Sequence, residues 1–316
     1  MPRTTSPRAG ALAATAGAAL LGLAPAAHAA PATLPAHFAA PYLELSDSTA
    51  GLMAEDMNAS GDKFYTLAFL IPQNGCTAQW EAGGTPIGSY AQQIRDLQSA
   101  GGNVIISFGG AEGGELAQTC TSVPDLTAAY ANIVDTYGVT RLDFDIEGST
   151  LDDTAANQRR NQALAALQQQ NPAVQVDYTL GVSPGVGLRD GEMSVLQDAQ
   201  SQGVNVSAVD IMAMDFGDGE SPLNDGISAA RATSGELAGL YGISQAEAYG
   251  RIGITPIAGQ NDDNEYFSQD DASTLENFAA SNGLQLLGFW EVASYDKATG
   301  YAYSRIFSQL NGNGAF

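Results

Sequence analysis

The sequence is short of positive charge. Its 316 residues include 12 Lys and Arg against 35 Asp and Glu, a formal charge of −23. A chain this acidic repels phosphate backbones and anionic lipid, so nucleic acid and membrane surfaces are excluded as partners and neutral or cationic ones remain. Charged residues of either sign make up only 15%, against 44% apolar. That balance excludes disorder and provides for a large core. Histidine occurs twice, and His28 falls in a segment expected to be cleaved. With no histidine in any motif, a Cys nucleophile or a histidine-built metal site lacks its partner. No apolar run reaches the roughly 20 residues that a membrane span needs. Pro- or Ser-rich linkers and internal repeats are also missing, so one domain is expected.

The N-terminus reads as a targeting segment. Arg3 and Arg8 are the only charges before Glu44, an Ala/Leu-rich run covers 11–23, and Ala27-His28-Ala29 is a small-x-small pattern. This is the layout of a secretory signal, assigned to 1–29, with the mature chain at 30–316. Secretion to the extracellular space follows as an expectation. Export leads to an oxidising compartment, where Cys76 and Cys120, the only two cysteines, are expected to pair. Each follows an apolar run, which puts both on loops at the same end of a sheet or barrel.

Short apolar runs alternate with helical stretches. Strands are expected at 41–45, 64–70, 104–108, 142–146, 174–180, 208–212, 251–257 and 286–290. Helices are expected at 49–58, 89–100, 125–137, 152–170, 192–202, 221–240, 270–281 and 301–310. Asp125 and Ser268 are the expected N-caps, with Gly138 and Gly283 as stops. Eight strands alternating with eight helices over about 270 residues fit a (β/α)8 barrel. A doubly wound open sheet is the alternative. It would want a Gly-rich phosphate turn after the first strand, and Leu45-Ser46-Asp47-Ser48 is not one. The acidic stretch 261–265 reads as solvated loop.

The most informative stretch is Arg141-Leu142-Asp143-Phe144-Asp145-Ile146-Glu147-Gly148. Side chains alternate along a strand, so Leu142, Phe144 and Ile146 share one face and Asp143, Asp145 and Glu147 the other, with successive acids about 6.6 Å apart. Three inward carboxylates are costly without water, partners or a task. An exposed edge strand or a metal site could carry the same pattern. The wholly apolar opposite face argues against the first, and the lack of histidine or further acids nearby against the second. No metal and no cofactor is expected. Crowded like charges cannot all ionise. Glu147, at the C-terminal end of the strand where barrel sites open, is the candidate general acid. Asp145 could share its proton, and Asp143 would hold Asp145 in place.

Asp143-x-Asp145-x-Glu147 at the end of a fourth strand resembles the Asp-x-x-Asp-x-Asp-x-Glu signature of family 18 glycoside hydrolases, the chitinases. Ser107-Phe108-Gly109-Gly110 is similar to the family's Ser-x-Gly-Gly after the third strand. Met212-Ala213-Met214-Asp215 resembles its Met-x-Tyr-Asp after the sixth, and Trp290 ends the eighth, where the family keeps a Trp under the reacting sugar. The segment around Cys76 and Trp80 also resembles secreted bacterial members. This chain departs at Thr140 and Arg141, and in having Met214 before Asp215 and Phe216 after it, so the family tyrosine hydroxyl is missing there. Tyr178 is one candidate to replace it.

The resemblance implies a substrate-assisted, retaining hydrolysis of β-1,4 N-acetylglucosamine linkages. Glu147 would be the acid, and Asp145 would orient the acetamido group. Asp215 would bind the same side, and Trp290 would floor the sugar site. Met214 and Phe216 would wall the pocket, with Gly109 and Gly110 allowing close backbone approach beside the acids. Chitin or N-acetylglucosamine oligosaccharides are the expected partners, and a monomer the expected state. Two other readings stay open: an endo-β-N-acetylglucosaminidase acting on N-glycans, and a catalytically quiet chitin-binding barrel. Processive members carry an α+β insertion after the seventh strand. Here about ten residues, 258–267, make that connection, too few for a domain, so no insertion and an internally cutting enzyme are expected.

Overall fold

The computed structural model describes residues 1–4, 32–112 and 114–312. The apolar run and cleavage pattern of the expected leader, including His28, lie outside the described residues.

Eight parallel staves form a ring. The first is made of two short strands, β1 (Phe38–Ala39) and β2 (Tyr42–Glu44). The second is β3 (Phe64–Asn74), which runs on into an antiparallel extension, β4 (Thr77–Trp80) and β5 (Thr85–Pro86). The remaining six are β6 (Asn103–Gly109), β7 (Arg141–Asp145), β8 (Gln175–Gly181), β9 (Val206–Met212), β10 (Ile252–Thr255) and, past a small antiparallel ribbon of β11 (Gly259–Gln260) and β12 (Tyr266–Phe267), β13 (Leu286–Leu287).

Closure depends on the broken first stave. β1 pairs with β13, while β2 pairs with β3. The N–H groups of Phe38, Ala40 and Tyr42 donate to the carbonyls of Gln285, Leu287 and Phe289 at 2.9–3.0 Å. On the other side the Pro41 carbonyl accepts from Thr66 at 3.0 Å, and Leu45 donates to Ala68 at 2.9 Å. Pro41 has no N–H to give, so it sits at the one point of the stave where only its carbonyl is used.

The helices are α1 (Leu52–Ser60), α2 (Ala91–Ser99), α3 (Leu116–Thr119), α4 (Val123–Tyr137), α5 (Ser149–Asp152), α6 (Thr154–Gln170), α7 (Asp190–Gln202), α8 (Pro222–Tyr241), α9 (Gln245–Tyr249), α10 (Gln269–Asn282) and α11 (Ala302–Phe307). Ser268 caps α10, and Gly138 and Gly283, both left-handed, end α4 and α10. Asp125 is not the cap of α4. Ser122 is, accepting from the Asp125 N–H, because Pro124 fits the first turn of a helix and lets it begin earlier.

The expected strand alternation divides the two faces of the staves. Leu142, Phe144 and Ile146 are fully buried outside the ring, under the helices. Phe144 stacks on Phe108 at 5.1 Å and meets the edge of Tyr130 at 5.2 Å. Inside, Phe38, Phe64, Ile105 and Leu286 plug one end. Above them the interior is polar. Arg141 makes a bidentate pair with Asp177 (2.5 and 2.9 Å) and lies over the Phe38 ring.

Cys76 and Cys120 form a disulfide across 44 residues, tying the β3–β4 turn to the end of α3. Replacing both by Ser removes a closed loop of that length from the unfolded chain. The unfolding free energy should fall by roughly 4 kcal/mol on the chain-entropy model, read from urea denaturation, with the far-UV spectrum unchanged. A loss below about 1 kcal/mol would place the bridge outside the fold's main constraints.

Candidate active site

β7 delivers two acids to the upper interior of the ring. Asp143 is 2% exposed and receives hydroxyls from three other staves. Ser107 Oγ on β6 donates to Oδ2 at 2.6 Å, Thr179 Oγ1 on β8 to Oδ1 at 2.9 Å, and Tyr42 OH on β2 to Oδ2 at 3.3 Å. Burial nonetheless pushes Asp143 up to about 7, with Asp177 adding to the effect and the hydroxyls opposing it.

Asp145 lies above it, 5% exposed, with Oδ1 lacking any donor. Glu147 is half-buried, and its carboxyl is in hydrogen-bonding contact with that of Asp145. Burial raises both carboxyls, and Glu147 pushes Asp145 further, with Asp143 and Asp210 adding to it. Two carboxyls in contact at the edge of a protein interior hold one proton between them. The backbone of Glu147 is fixed by Thr150, which accepts its N–H at 3.2 Å and donates to its carbonyl.

Gly109 explains how Asp145 is seated. Its φ is 101°, and a Cβ there would lie 2.1 Å from the Asp145 carbonyl oxygen. A Cβ on Gly110 would lie 2.6 Å from the Phe69 ring. Both glycines serve the approach of neighbours to the acids, and neither lines the cleft.

The cleft itself has a volume of about 290 Å³. Trp290 floors it, stacked on Phe69 with centroids 5.7 Å apart and planes 11° apart, and tilted against Tyr42 at 6.1 Å. Asp145, Glu147, Met214 and Asp215 all line it. Phe216 does not: its ring packs half-buried against the hydrophobic core, and its N–H donates to Glu265. Tyr178 lies on the outer face of β8, under Arg160 and bonded to Asn161, and cannot replace a hydroxyl in the cleft. Trp80 is a core residue, donating to Tyr137 OH at 3.0 Å.

Sequence reasoning missed Tyr42, Phe69 and Thr179. Each has a neighbour-in-strand signal, since Tyr42 is the polar-tipped aromatic of the first stave, but nothing local shows that three strands converge on Asp143. The stretch 261–265 is only in part the solvated loop expected, with Asp262 and Asn264 exposed. Asn261 and Glu265 are buried, and the Asp262 and Asp263 N–H groups donate to Asp215 Oδ1 at 2.8 and 3.3 Å.

Against proteins of known structure, the chain is 30% identical to the catalytic domain of a hyperthermophilic chitinase from Pyrococcus furiosus. That match covers 91% of this chain and 99% of the other, with a TM-score of 0.81. The chain belongs to family 18 of the glycoside hydrolases. A family 18 chitinase from Chromobacterium violaceum shares the fold at 14% identity, over 89% of this chain and 84% of the other, with a TM-score of 0.62. Two curated relatives are 34% identical. The Escherichia coli protein named "Probable bifunctional chitinase/lysozyme" matches over 87% of this chain and 34% of its own, and Endochitinase 11 of Metarhizium anisopliae over 82% and 52%. This chain thus spans about a third and about half of their lengths. No family profile matches it.

Within this family 18 barrel, carboxyls raised by burial link stability to pH. Asp56 is pushed up to about 6, and Asp143 and Glu291 to about 7. A carboxyl with a raised folded pKa binds its proton more tightly in the folded state. Its stabilising contribution is full below the unfolded values near 4 and is lost as pH rises through 6 to 7. Melting temperature should therefore fall by about 5 °C or more between pH 5 and pH 8. It should do so at high salt too, which screens surface repulsion but not buried groups. A melting temperature that is flat or rises over this range would mean that these acids ionise freely in the fold.

Proposed function

We propose that this chain is a secreted chitinase that hydrolyses β-1,4 N-acetylglucosamine linkages by substrate-assisted, retaining catalysis. The contact between Asp145 and Glu147 carries the reading. A retaining glycosidase that uses a carboxylate nucleophile keeps its two carboxyls about 5–5.5 Å apart, and an inverting one wider still. A pair close enough to share a proton fits neither. It fits a single acid with a partner that tunes it, the nucleophile coming from the substrate.

The sugar to be cleaved lies on the Trp290 indole with its N-acetyl group turned toward Asp145. The acetamido carbonyl oxygen attacks the anomeric carbon while Glu147 gives its proton to the departing glycosidic oxygen. Asp145, then ionised, accepts the acetamido N–H and offsets the positive charge of the oxazolinium ring. Asp143 keeps Asp145 in line from below, and Asp215 closes the acetamido side. Water then attacks the anomeric carbon from the face the leaving sugar vacated, with Glu147 taking its proton, so the configuration is retained. The Cys76–Cys120 bridge and the leader read at 1–29 support export.

Incubating the exported protein with chitin oligosaccharides and following products by NMR should show the β-anomer first. An α-anomer first would overturn the retaining mechanism, and no cleavage between about pH 3 and 8 would favour a binding barrel. Glu147→Gln should keep oligosaccharide binding and lose about 10²–10⁴-fold in kcat, and Asp145→Asn should fall nearly as far. Near-normal turnover in Glu147→Gln would reassign the acid.

The β10–α10 connection holds only the ribbon β11–β12, and this shortness supports an endo mode. The viscosity of a soluble chitin derivative should drop quickly while few reducing ends appear. Early disaccharide release with lagging viscosity would mean that the polymer enters from its ends.

A further inference from the structure

The loops after β9 and β10 are locked by carboxylates that take each other's backbone amides. Glu265 is 5% exposed. Its Oε2 accepts from the Phe216 N–H at 3.3 Å, and its Oε1 from Asp218 and Gly219, both at 3.2 Å. Asp263 Oδ2 accepts from Gly217 at 3.1 Å. Four successive amides of one loop are thus taken by two acids of the other. In return Asp215 Oδ1 accepts from Asp262 and Asp263. None of the ion pairs among the described residues includes Glu265, so its charge is held by peptide dipoles alone. A run of convergent N–H groups is a natural anion cradle, and here the anion is the protein's own.

Asp215, at the start of that run, has φ 49°, a left-handed conformation that Asp adopts more readily than most L-residues. The clasp fixes its side chain there, and it uses only one carboxylate oxygen of Asp215. Among the described residues Oδ2 has no protein partner, and the residue lines the cleft.

We infer that Glu265 is a positioning residue for hydrolysis. It holds residues 216–219 so that Asp215 meets the acetamido side of the sugar with Oδ2 free. This rests on the hydrolytic reading above. Glu265 is otherwise remote from the chemistry: it does not line the cleft that holds Asp145 and Glu147.

The test is a double-mutant cycle in the exported protein, reading kcat and KM on chitin oligosaccharides. Glu265→Ala and Asp215→Ala should each lower kcat/KM on the order of tenfold to a hundredfold, the scale of a misplaced active-site group. The double variant should lose no more than about twofold beyond Asp215→Ala, since coupled residues are not additive. Glu265→Gln keeps one oxygen for two of the three amides and should recover most of the loss. Glu265→Asp, whose shorter arm withdraws the carboxylate from these amides, carries the cycle if the Ala variant fails to fold. If Glu265→Ala costs as much in the Asp215→Ala background as in the wild type, Glu265 acts on stability alone and the inference falls. Amide exchange followed by NMR separates this from the functional reading. Glu265→Ala should abolish protection at Phe216, Asp218 and Gly219 whether or not the wild type cleaves chitin. Unchanged protection would overturn the clasp itself, whereas an inactive wild type with a lost clasp would overturn only the hydrolytic reading.

Discussion

Two carboxyls in contact where water is scarce cannot both be charged, and the upper half of this barrel is arranged around that constraint. Asp145 and Glu147 share a proton because burial penalises charge on each and because Glu147 penalises it further on Asp145. Asp143 gains no relief from a base. It is held by three hydroxyls from three different staves, so the position of Asp145 depends on the ring being complete. Glycine at 109 is required because the Asp145 carbonyl occupies the space of a side chain there. The acid pair, the hydroxyl cradle and the glycine are one structure.

Ring closure matters for the same reason. The first stave supplies Tyr42 to the Asp143 cradle and to the aromatic floor beside Trp290, while its backbone bridges the eighth stave and the second. An open sheet would leave Tyr42 and Trp290 at opposite edges. The floor of the cleft is therefore a product of closure, and the polar interior beneath it is unlike the layers of branched apolar side chains that usually fill such barrels.

Few of the buried acids among the described residues are neutralised by ion pairing. Arg141–Asp177 and Arg160–Glu115 are the pairs buried on both sides among the described residues. Elsewhere backbone amides stand in for the missing bases. Glu291 accepts from the Glu44 N–H, Glu236 from Leu188, Asp296 from Tyr303, and Glu265 from three amides of one loop. Peptide dipoles can be aimed without adding a long flexible side chain, which suits loops that have to hold cleft residues still.

The sequence by itself determined the staves, the helices between them and the acids that face inward. Strand alternation is a local, period-two property, and Leu142, Phe144 and Ile146 against Asp143, Asp145 and Glu147 state it without ambiguity. The pairing of Cys76 with Cys120 was equally legible, because there was no other choice. What only the tertiary structure decided is every relation between loops and between distant staves. It placed Tyr42 and Thr179 on Asp143, turned Phe216 away from the cleft and Tyr178 to the outside of the ring. It also made the 261–265 stretch a clasp with Asn261 and Glu265 buried, where acidity alone predicts solvent throughout. Composition shows that a segment is charged. Whether that charge meets water or a row of amides depends on which backbone folds against it, and that backbone lies about 46 residues away in the chain.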